Sequence, residues 1–150
     1  MDKLKIYLDN CCYCRPFDDL SQEKVRNEAT AKRYIQSLIR FKSVVLYSSF
    51  MLLREMNDIP FPSIKEHVLD FVKENTAVFI SDENISKIKP LSEEIMKTGI
   101  KKKDATHIAC SIIAKCDYFI TTDRRVINYK TDKIKIVNPI EFAELWRNLT

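Results

Sequence analysis

Residues 104–123, DATHIACSIIAKCDYFITTD, place a helical segment directly before a buried strand. Apolar side chains recur at helical spacing over 104–115, at Ala105, Ile108, Ala109, Ile112 and Ile113. The run 118–121 is short, apolar and rich in β-forming residues, which is typical of a strand buried in a parallel sheet. Asp123 comes shortly after this strand. The stretch therefore predicts a helix–strand unit with a carboxylate just beyond the strand.

The same alternation of strands and helices runs through the rest of the chain. The further predicted strands cover residues 4–8, 43–48, 76–80 and 133–137. The predicted helices cover 21–39, 50–56, 64–75, 84–97 and 104–115, and a last one runs from 138 to the end. Ser21 is expected to cap the first helix, and Asn138 with Pro139 to open the last. This pattern predicts a three-layer α/β fold, in which a five-stranded parallel sheet carries helices on both faces.

The length and composition are those of one ordinary globular domain. The chain has 150 residues, so we expect a single domain over 1–150. It is 45% hydrophobic and 31% charged, which argues against a disordered or fibrous protein. Its 25 Lys and Arg against 21 Asp and Glu give a net charge of +4. That charge permits contact with a polyanion without requiring it.

Some classes of protein are excluded by what the sequence lacks. Gly99 is the only glycine, which excludes the phosphate-binding loops built on repeated glycines. Any phosphate chemistry must therefore use metal ions or cationic side chains. The apolar stretches are too short to span a membrane, and residues 1–5 lack the apolar core of a signal peptide. A cytoplasmic location is expected.

The five cysteines are expected to be free thiols, because a cytosolic chain of this size does not depend on disulfides. Cys11 and Cys14 form a C-x-x-C pair, which keeps a thiol redox site or a zinc site open as alternatives. The simpler interpretation is that these small side chains pack near a strand end. The roles of Cys11, Cys12 and Cys14 are left open by the sequence.

Four carboxylates fall where the predicted parallel strands end. Asp9 ends the first strand, and Glu55 lies in the helix after the second strand. Asp104 opens the helix that leads into the fourth strand, and Asp123 follows that strand. Each alone has a structural explanation, as a cap, a turn residue or part of a solvated helix face. Because sites in open parallel sheets lie beyond the carboxyl ends of the strands, we expect the four to meet at one edge.

Such a cluster requires neutralisation. Two carboxylates about 5 Å apart repel by about 3 kcal/mol at an effective dielectric constant near 20. Cations must therefore offset the repulsion, or some of the acids must stay protonated. Ligand sets made of oxygen favour the hard ions Mg²⁺ and Mn²⁺. These ions support phosphoryl transfer by activating water and by stabilising charge on the departing oxygen.

Basic residues beside these acids are consistent with a phosphodiester substrate. Arg15, Arg124 and Arg125 are candidates to hold backbone phosphates. Residues 101–103 are three consecutive lysines immediately before Asp104. They either add positive potential beside the acidic centre or form a solvated loop.

The chain resembles the PIN-domain family of metal-dependent ribonucleases, which includes the VapC-like toxins. The resemblance extends over nearly the whole chain and is most specific at 104–109 and 117–123, DATHIA and DYFITTD. The other matching segments are 6–11, 15–19, 49–55 and 137–139.

The resemblance implies a five-stranded parallel sheet with helices on both faces and an acidic pocket for Mg²⁺ or Mn²⁺. The family's four acidic positions, catalytic and metal-binding, correspond to Asp9, Glu55, Asp104 and Asp123. Asn10 follows the first acid, where the family commonly has Thr, Ser or Asn. Cys11 stands where many members have Asn, which removes no carboxylate. Thr121 or Thr122 is expected to orient the fourth acid or a water molecule, and His107 to pack within its helix or lie at the surface.

The sequence therefore predicts a cytoplasmic Mg²⁺- or Mn²⁺-dependent ribonuclease that cleaves single-stranded or loop RNA. As the toxin of a toxin–antitoxin pair it would need an antitoxin protein as partner, and a homodimer is consistent with the family. The first alternative is a catalytically silent module of the same fold that binds RNA or protein. The second is a redox protein that uses the C-x-x-C pair.

Overall fold

The structure is a computed structural model, and it describes residues 2–14 and 21–149. Five parallel strands form one sheet in the order β3-β2-β1-β4-β5. Their bounds are Lys5–Leu8 (β1), Val45–Ser49 (β2), Val78–Ile80 (β3), Tyr118–Ile120 (β4) and Lys135–Val137 (β5). Along this part of the chain each strand is joined to the next by at least one helix, as parallel pairing requires.

Seven α-helices belong to the described residues. They are Glu23–Arg40 (α1), Phe50–Asn57 (α2), Pro62–Asn75 (α3), Ile85–Met96 (α4), Lys102–Ile113 (α5), Arg124–Ile127 (α6) and Pro139–Leu149 (α7). Two single 3₁₀ turns, Asn10–Cys12 and Asp82–Asn84, precede α1 and α4. Gly99 has φ of +100°, a conformation that glycine adopts readily, and it lies in the short turn between α4 and α5.

The strand order places a topological switch point at β1. From β1 the chain moves to β2 and then to β3 on one side, and it later returns to β4 and β5 on the other side. Tyr7 pairs with Tyr47 of β2 and with Phe119 of β4. Connections that leave β1 in opposite directions open a crevice beyond the carboxyl ends of the strands.

Two apolar cores cover the two faces of the sheet. Alternate side chains of a strand point to opposite faces, so Ile6 and Leu8 belong to one core and Tyr7 to the other. The first core packs β1 and its neighbours against α1, α2, α3 and α7. The second packs the opposite face against α4, α5 and α6. The predicted three-layer α/β fold with a five-stranded parallel sheet is confirmed.

Several local predictions are wrong at the ends of helices. Gln22, rather than Ser21, is the N-cap of α1, and its side chain makes no capping hydrogen bond. Lys101 is the N-cap of α5, so Asp104 lies inside the first turn instead of opening the helix. The four-residue helix α6 was not predicted, because it is too short to show helical periodicity. Asn138 does cap α7, where its Oδ1 accepts a hydrogen bond from Glu141 N at 2.7 Å.

Candidate functional site

Asp9 is held at the carboxyl end of β1 by bonds to both of its side-chain oxygens. Its Oδ1 accepts a hydrogen bond from Asn10 N at 2.8 Å, which caps the 3₁₀ turn Asn10–Cys12. Its Oδ2 accepts a hydrogen bond from Thr121 Oγ1 at 2.7 Å. The side chain is only 8% exposed. A carboxylate bound on both oxygens and shielded from water has a fixed orientation.

Asp123 is tied to the same threonine. Its backbone N donates to Thr121 Oγ1 at 3.1 Å, so one hydroxyl connects the first and the fourth acid. Asp123 Oδ1 accepts from Arg125 N at 2.9 Å and caps α6. The sequence predicts that Thr121 or Thr122 orients the fourth acid or a water molecule. The Thr121 hydroxyl accepts from the backbone of the fourth acid and also donates to the first acid, whereas Thr122 Oγ1 donates to the sulfur of Cys11 at 3.1 Å.

Glu55 enters the site from α2 and contacts His107 of α5. His107 Nε2 lies 2.7 Å from Glu55 Oε1, and the histidine is completely buried. The predicted surface position of His107 is wrong, because the residue is completely buried, and besides packing in the interior the ring contacts one of the acids. Burial alone would lower the pKa of His107, but the hydrogen bond to Glu55 and the carboxylates of Asp9 and Asp104 raise it above its ordinary value.

His107 continues into a buried chain of hydroxyls. Its Nδ1 lies 2.6 Å from the Tyr7 hydroxyl, and that hydroxyl lies 2.6 Å from Ser49 Oγ. Burial raises the pKa of Tyr7 well above its ordinary value, so the phenol stays protonated. Ser49 Oγ also accepts a hydrogen bond from Leu52 N at 3.3 Å and caps α2. The helix that carries Glu55 is thereby joined to β1 and α5.

Asp104 completes the acidic cluster from the first turn of α5. Partial burial and the negative charges of Asp9, Asp123 and Glu55 raise its pKa to about 6. The charge of Asp104 therefore responds to all three of the other acids. Because α5 runs antiparallel to β4, which follows it, the first turn of α5 lies at the carboxyl end of β4.

A cleft of about 450 Å³ opens beside these acids. Its lining residues are Asn10, Glu55, Asp58, Lys101, Lys102, Lys103 and Asp104. The three lysines are exposed and occupy the N-terminal end of α5. This lysine run therefore forms the positive wall of the cleft, beside Glu55 and Asp104 of the four predicted acids.

The arginines predicted to bind substrate are placed differently. Arg124 and Arg125 are exposed on α6 and do not line the cleft. Arg15 lies outside the described residues. The sequence suggests these arginines because they neighbour the acids along the chain, whereas the side chains that line the cleft come from the start of α5.

Helix α1 supports the turn after Asp9 through two buried polar side chains. Lys32 is 1% exposed, and its Nζ donates to the carbonyl of Cys11 at 2.7 Å. Gln36 Nε2 donates to the carbonyl of Cys12 at 3.1 Å. The buried ammonium group therefore has a carbonyl acceptor in the turn that follows Asp9. Helical periodicity could not identify Lys32, because a lysine interrupts an apolar helix face.

The cysteines are free thiols, as expected. The sulfurs of Cys11 and Cys12 lie 4.0 Å apart, well beyond bonding distance. The hydrogen bond from Cys12 lowers the pKa of Cys11, with help from Lys32 and Thr122 and against the effects of burial and of Asp9. Burial raises the pKa of Cys12 well above its ordinary value.

The residues present suit a hard divalent cation. Among the described residues, one group of three offers ligand atoms that all lie within 4.8 Å of one another: Asp9, Glu55 and His107. Asn10 Oδ1 is buried beside them and has no hydrogen-bond partner within the described part of the chain. Carboxylate and amide oxygens are the ligands that Mg²⁺ prefers. A clustered set of acids, one with a raised pKa, is the electrostatic environment that such an ion relieves.

The fold and the carboxylate cluster define an α/β protein with an acidic crevice at its switch point. No known family profile matches the sequence, and no curated protein matches it. The chain is similar in structure to one chain in a crystal structure of VapBC2 from Rickettsia felis. That structure shows VapBC2 bound to a DNA fragment from its promoter. The TM-score is 0.58 at 13% sequence identity, and the similarity covers 90% of this chain and 98% of that chain. At this identity the similarity concerns the fold. Over residues 2–14 and 21–149, no helix combines the length and the hydrophobicity needed to cross a membrane.

Proposed function

We propose that this chain is a metal-dependent ribonuclease of the PIN type, forming one nuclease domain over residues 1–150. The observation that carries the proposal is the meeting of Asp9 and Glu55 within 4.8 Å, at the end of the sheet. Asp104 interacts electrostatically with Asp123 and also with Asp9 and Glu55. Similar clusters of acidic oxygens hold the divalent ions of phosphoryl-transfer enzymes.

In this proposal Asp9, Glu55, Asp104 and Asp123 hold Mg²⁺ or Mn²⁺. The bound cation would supply Lewis-acid activation of water and would neutralise charge on the phosphate. Thr121 fixes the orientation of Asp9 through its hydroxyl and receives Asp123 N on the same oxygen. Asn10 Oδ1, which has no protein partner in the described regions, is available to a ligand or to water.

The substrate is held by the lysine run of α5. Lys101, Lys102 and Lys103 form the wall of the cleft nearest Asp104, where they face a polyanion that enters the crevice. The cleft is open rather than enclosed, which suits an extended or looped RNA strand. Arg124 and Arg125 follow Asp123 at the start of α6 and do not line the cleft, so they would contact more distant phosphates.

The decisive experiment is cleavage of a labelled single-stranded RNA with and without Mg²⁺ or Mn²⁺. We expect metal-dependent cleavage by the wild-type protein and a loss of at least about 100-fold in Asp9→Asn, because one ligand and its charge are removed. Asp132→Asn, an exposed aspartate outside the site, is the matched control and should retain full activity. Full activity in Asp9→Asn would contradict the proposal. RNA binding without turnover in the wild-type protein would favour the catalytically silent module.

We also propose that the protein is a cytoplasmic toxin neutralised by an antitoxin protein, with a homodimer as its assembly. The support is the structural similarity to VapBC2, whose structure includes DNA from their promoter. Expression of the chain alone should then arrest growth, and Asp9→Asn should relieve the arrest at equal protein level. Growth unaffected by the wild-type chain at that level would contradict the toxin assignment and leave the nuclease proposal untouched.

A further inference from the structure

We propose that His107 is a positioning residue of the candidate metal site, which holds Glu55 through Nε2–H and does not itself bind the ion. This inference rests on the proposed metal centre. The alternative is that His107 binds the ion directly, because its Nε2 atom belongs to the one group of three potential ligands found among the described residues.

Both ring nitrogens of His107 already have protein partners. Nε2 lies 2.7 Å from Glu55 Oε1, and Nδ1 lies 2.6 Å from the Tyr7 hydroxyl. An ionised carboxylate only accepts hydrogen bonds, so we infer that the nitrogen facing it at this distance carries the proton. A protonated Nε2 has no lone pair to offer to a metal ion. Donation to Glu55 is possible in both the neutral and the charged form of the ring, so the assignment does not depend on its titration.

The ring is held by groups whose positions are set by the sheet. Tyr7 belongs to β1 and Ser49 ends β2, and both side chains are completely buried. The Tyr7 ring also stacks on Phe119 of β4, with centroids 5.4 Å apart and planes inclined by 11°. The Tyr7 ring therefore has little freedom to move its hydroxyl oxygen away from Nδ1. The chain from Ser49 through Tyr7 to His107 fixes the direction in which Nε2–H points.

The consequence is a fixed glutamate. Glu55 has the longest side chain of the four acids and is 16% exposed, so without a partner it would lose the most conformational freedom on binding a cation. The hydrogen bond from His107 engages Oε1 and would limit the orientations that the Glu55 carboxylate can adopt beside Asp9. Residues that orient metal ligands in this way typically contribute about 10–100-fold to metal affinity.

The test measures Mn²⁺ binding by electron paramagnetic resonance, which needs no RNA. His107→Leu removes both hydrogen bonds and should weaken Mn²⁺ binding by about 10-fold or more, whereas His107→Gln keeps a donor and should restore affinity to within about threefold. His67→Gln, an exposed histidine on α3, is the control for histidine replacement and should bind as the wild type does. Tyr7→Phe removes the hydroxyl that holds Nδ1 and should give an intermediate loss.

Two readouts on the wild-type protein keep the inference testable if His107→Leu does not fold. Nitrogen-15 NMR should show a proton on Nε2 of His107 with and without a diamagnetic ion, and pulsed electron paramagnetic resonance should show no directly coordinated ¹⁴N on bound Mn²⁺. A coordinated nitrogen, or unchanged Mn²⁺ affinity in a folded His107→Leu, would overturn the role assigned to His107 and leave the nuclease proposal intact. Failure of the wild-type protein to bind Mn²⁺ would overturn both.

Discussion

Asp104 shows how a single residue reports on the whole acidic cluster. Its pKa of about 6 arises from partial burial and from the negative charges of Asp9, Asp123 and Glu55. Without a cation, ionising Asp104 beside the other three carboxylates is therefore unfavourable. A group whose pKa is higher in the folded state contributes stability that is present below its unfolded value and is lost as the pH rises through its folded value.

Asp104→Asn should therefore stabilise the metal-free protein at neutral pH. In EDTA the melting temperature of the variant should exceed that of the wild type by about 2–5 °C at pH 7. The difference should shrink as the pH is lowered from about 6 towards about 4, because the wild-type carboxyl then becomes protonated and neutral. The measurement is calorimetry of both proteins across this range, with Asp132→Asn as the surface control. Equal melting temperatures at pH 7 would mean that the acids do not repel one another.

At the scale of single elements, α1 supports the site from behind. Lys32 and Gln36, one helical turn apart, donate to the carbonyls of Cys11 and Cys12 in the turn that follows Asp9. A buried carbonyl that loses its donor retains the full cost of its desolvation. The helix thus contributes polar bonds to the site as well as apolar packing to the core.

Lys32→Met should lower the free energy of unfolding by about 1–3 kcal/mol, because the carbonyl of Cys11 loses its partner. Chemical denaturation with urea measures the change. Arg33→Met, at the exposed neighbouring position of the same helix, is the matched control and should change stability by less than about 0.5 kcal/mol. Equal effects of the two substitutions would show that the Lys32 hydrogen bond is not important for stability.

The N-terminal end of α5 is the element that we expect to bind RNA. Replacing Lys101, Lys102 and Lys103 together with Ala should weaken RNA binding and reduce the dependence of the affinity on salt, by about 0.7 in slope for each phosphate that the lysines no longer neutralise. Fluorescence anisotropy over a salt series measures both quantities. The fold should remain intact, because cations at a helix N-terminus are unfavourable to the helix.

The matched control for the lysine run is the pair Arg124→Ala and Arg125→Ala. These two side chains are also exposed but lie outside the cleft, so their removal should change the affinity less than the lysine replacement does. If the arginine pair lost more RNA affinity than the lysine run, the main phosphate-binding residues would be those of α6.

At the scale of the molecule, the parallel sheet collects charges that its own fold does not neutralise. The strand order β3-β2-β1-β4-β5 brings Asp9 and Asp123 to adjacent strand ends, and α2 and α5 add Glu55 and Asp104. Repulsion among these carboxylates opposes folding. A bound divalent cation would attract them and so make their electrostatic contribution to stability favourable.

Saturating Mn²⁺ or Mg²⁺ should therefore stabilise the native protein. At a free concentration of about 100 times Kd the gain is about 2.7 kcal/mol, which corresponds to a rise of about 5–10 °C in melting temperature for a chain of this size. Asp9→Asn should lose most of this rise, and Asp132→Asn should keep it. Thermal denaturation with a metal titration provides the measurement, and a wild-type melting temperature insensitive to both metals would contradict the metal site.

The sequence was informative about the site where topology alone decides proximity. Asp9 and Asp123 each follow a predicted parallel strand, so their placement at one edge required only the α/β pattern. A role for Thr121 or Thr122 beside Asp123 was predicted, but the hydrogen bond from the Thr121 hydroxyl to Asp9 was not, because it depends on which hydroxyl rotates towards which oxygen. Ser21 was wrongly predicted to cap α1, whose N-cap is Gln22, and Asp104 to open α5, which begins two residues earlier at Lys102. A helix can begin one or two residues earlier or later without altering its apolar face.

The amino-acid sequence by itself determined the α/β class and the five strands, because the periodicity of apolar residues is a property of the chain read in one direction. It also placed Asp9 and Asp123 after two of those strands, whereas Glu55 and Asp104 lie in the helices α2 and α5. Tertiary structure alone decided that His107, Tyr7 and Ser49 form one buried hydrogen-bonded chain with Glu55. It also decided that, among the described residues, Lys101, Lys102 and Lys103 line the cleft and Arg124 and Arg125 do not. Those contacts join residues from different elements across the sheet. They depend on side-chain direction and packing depth, which spacing along the chain does not specify.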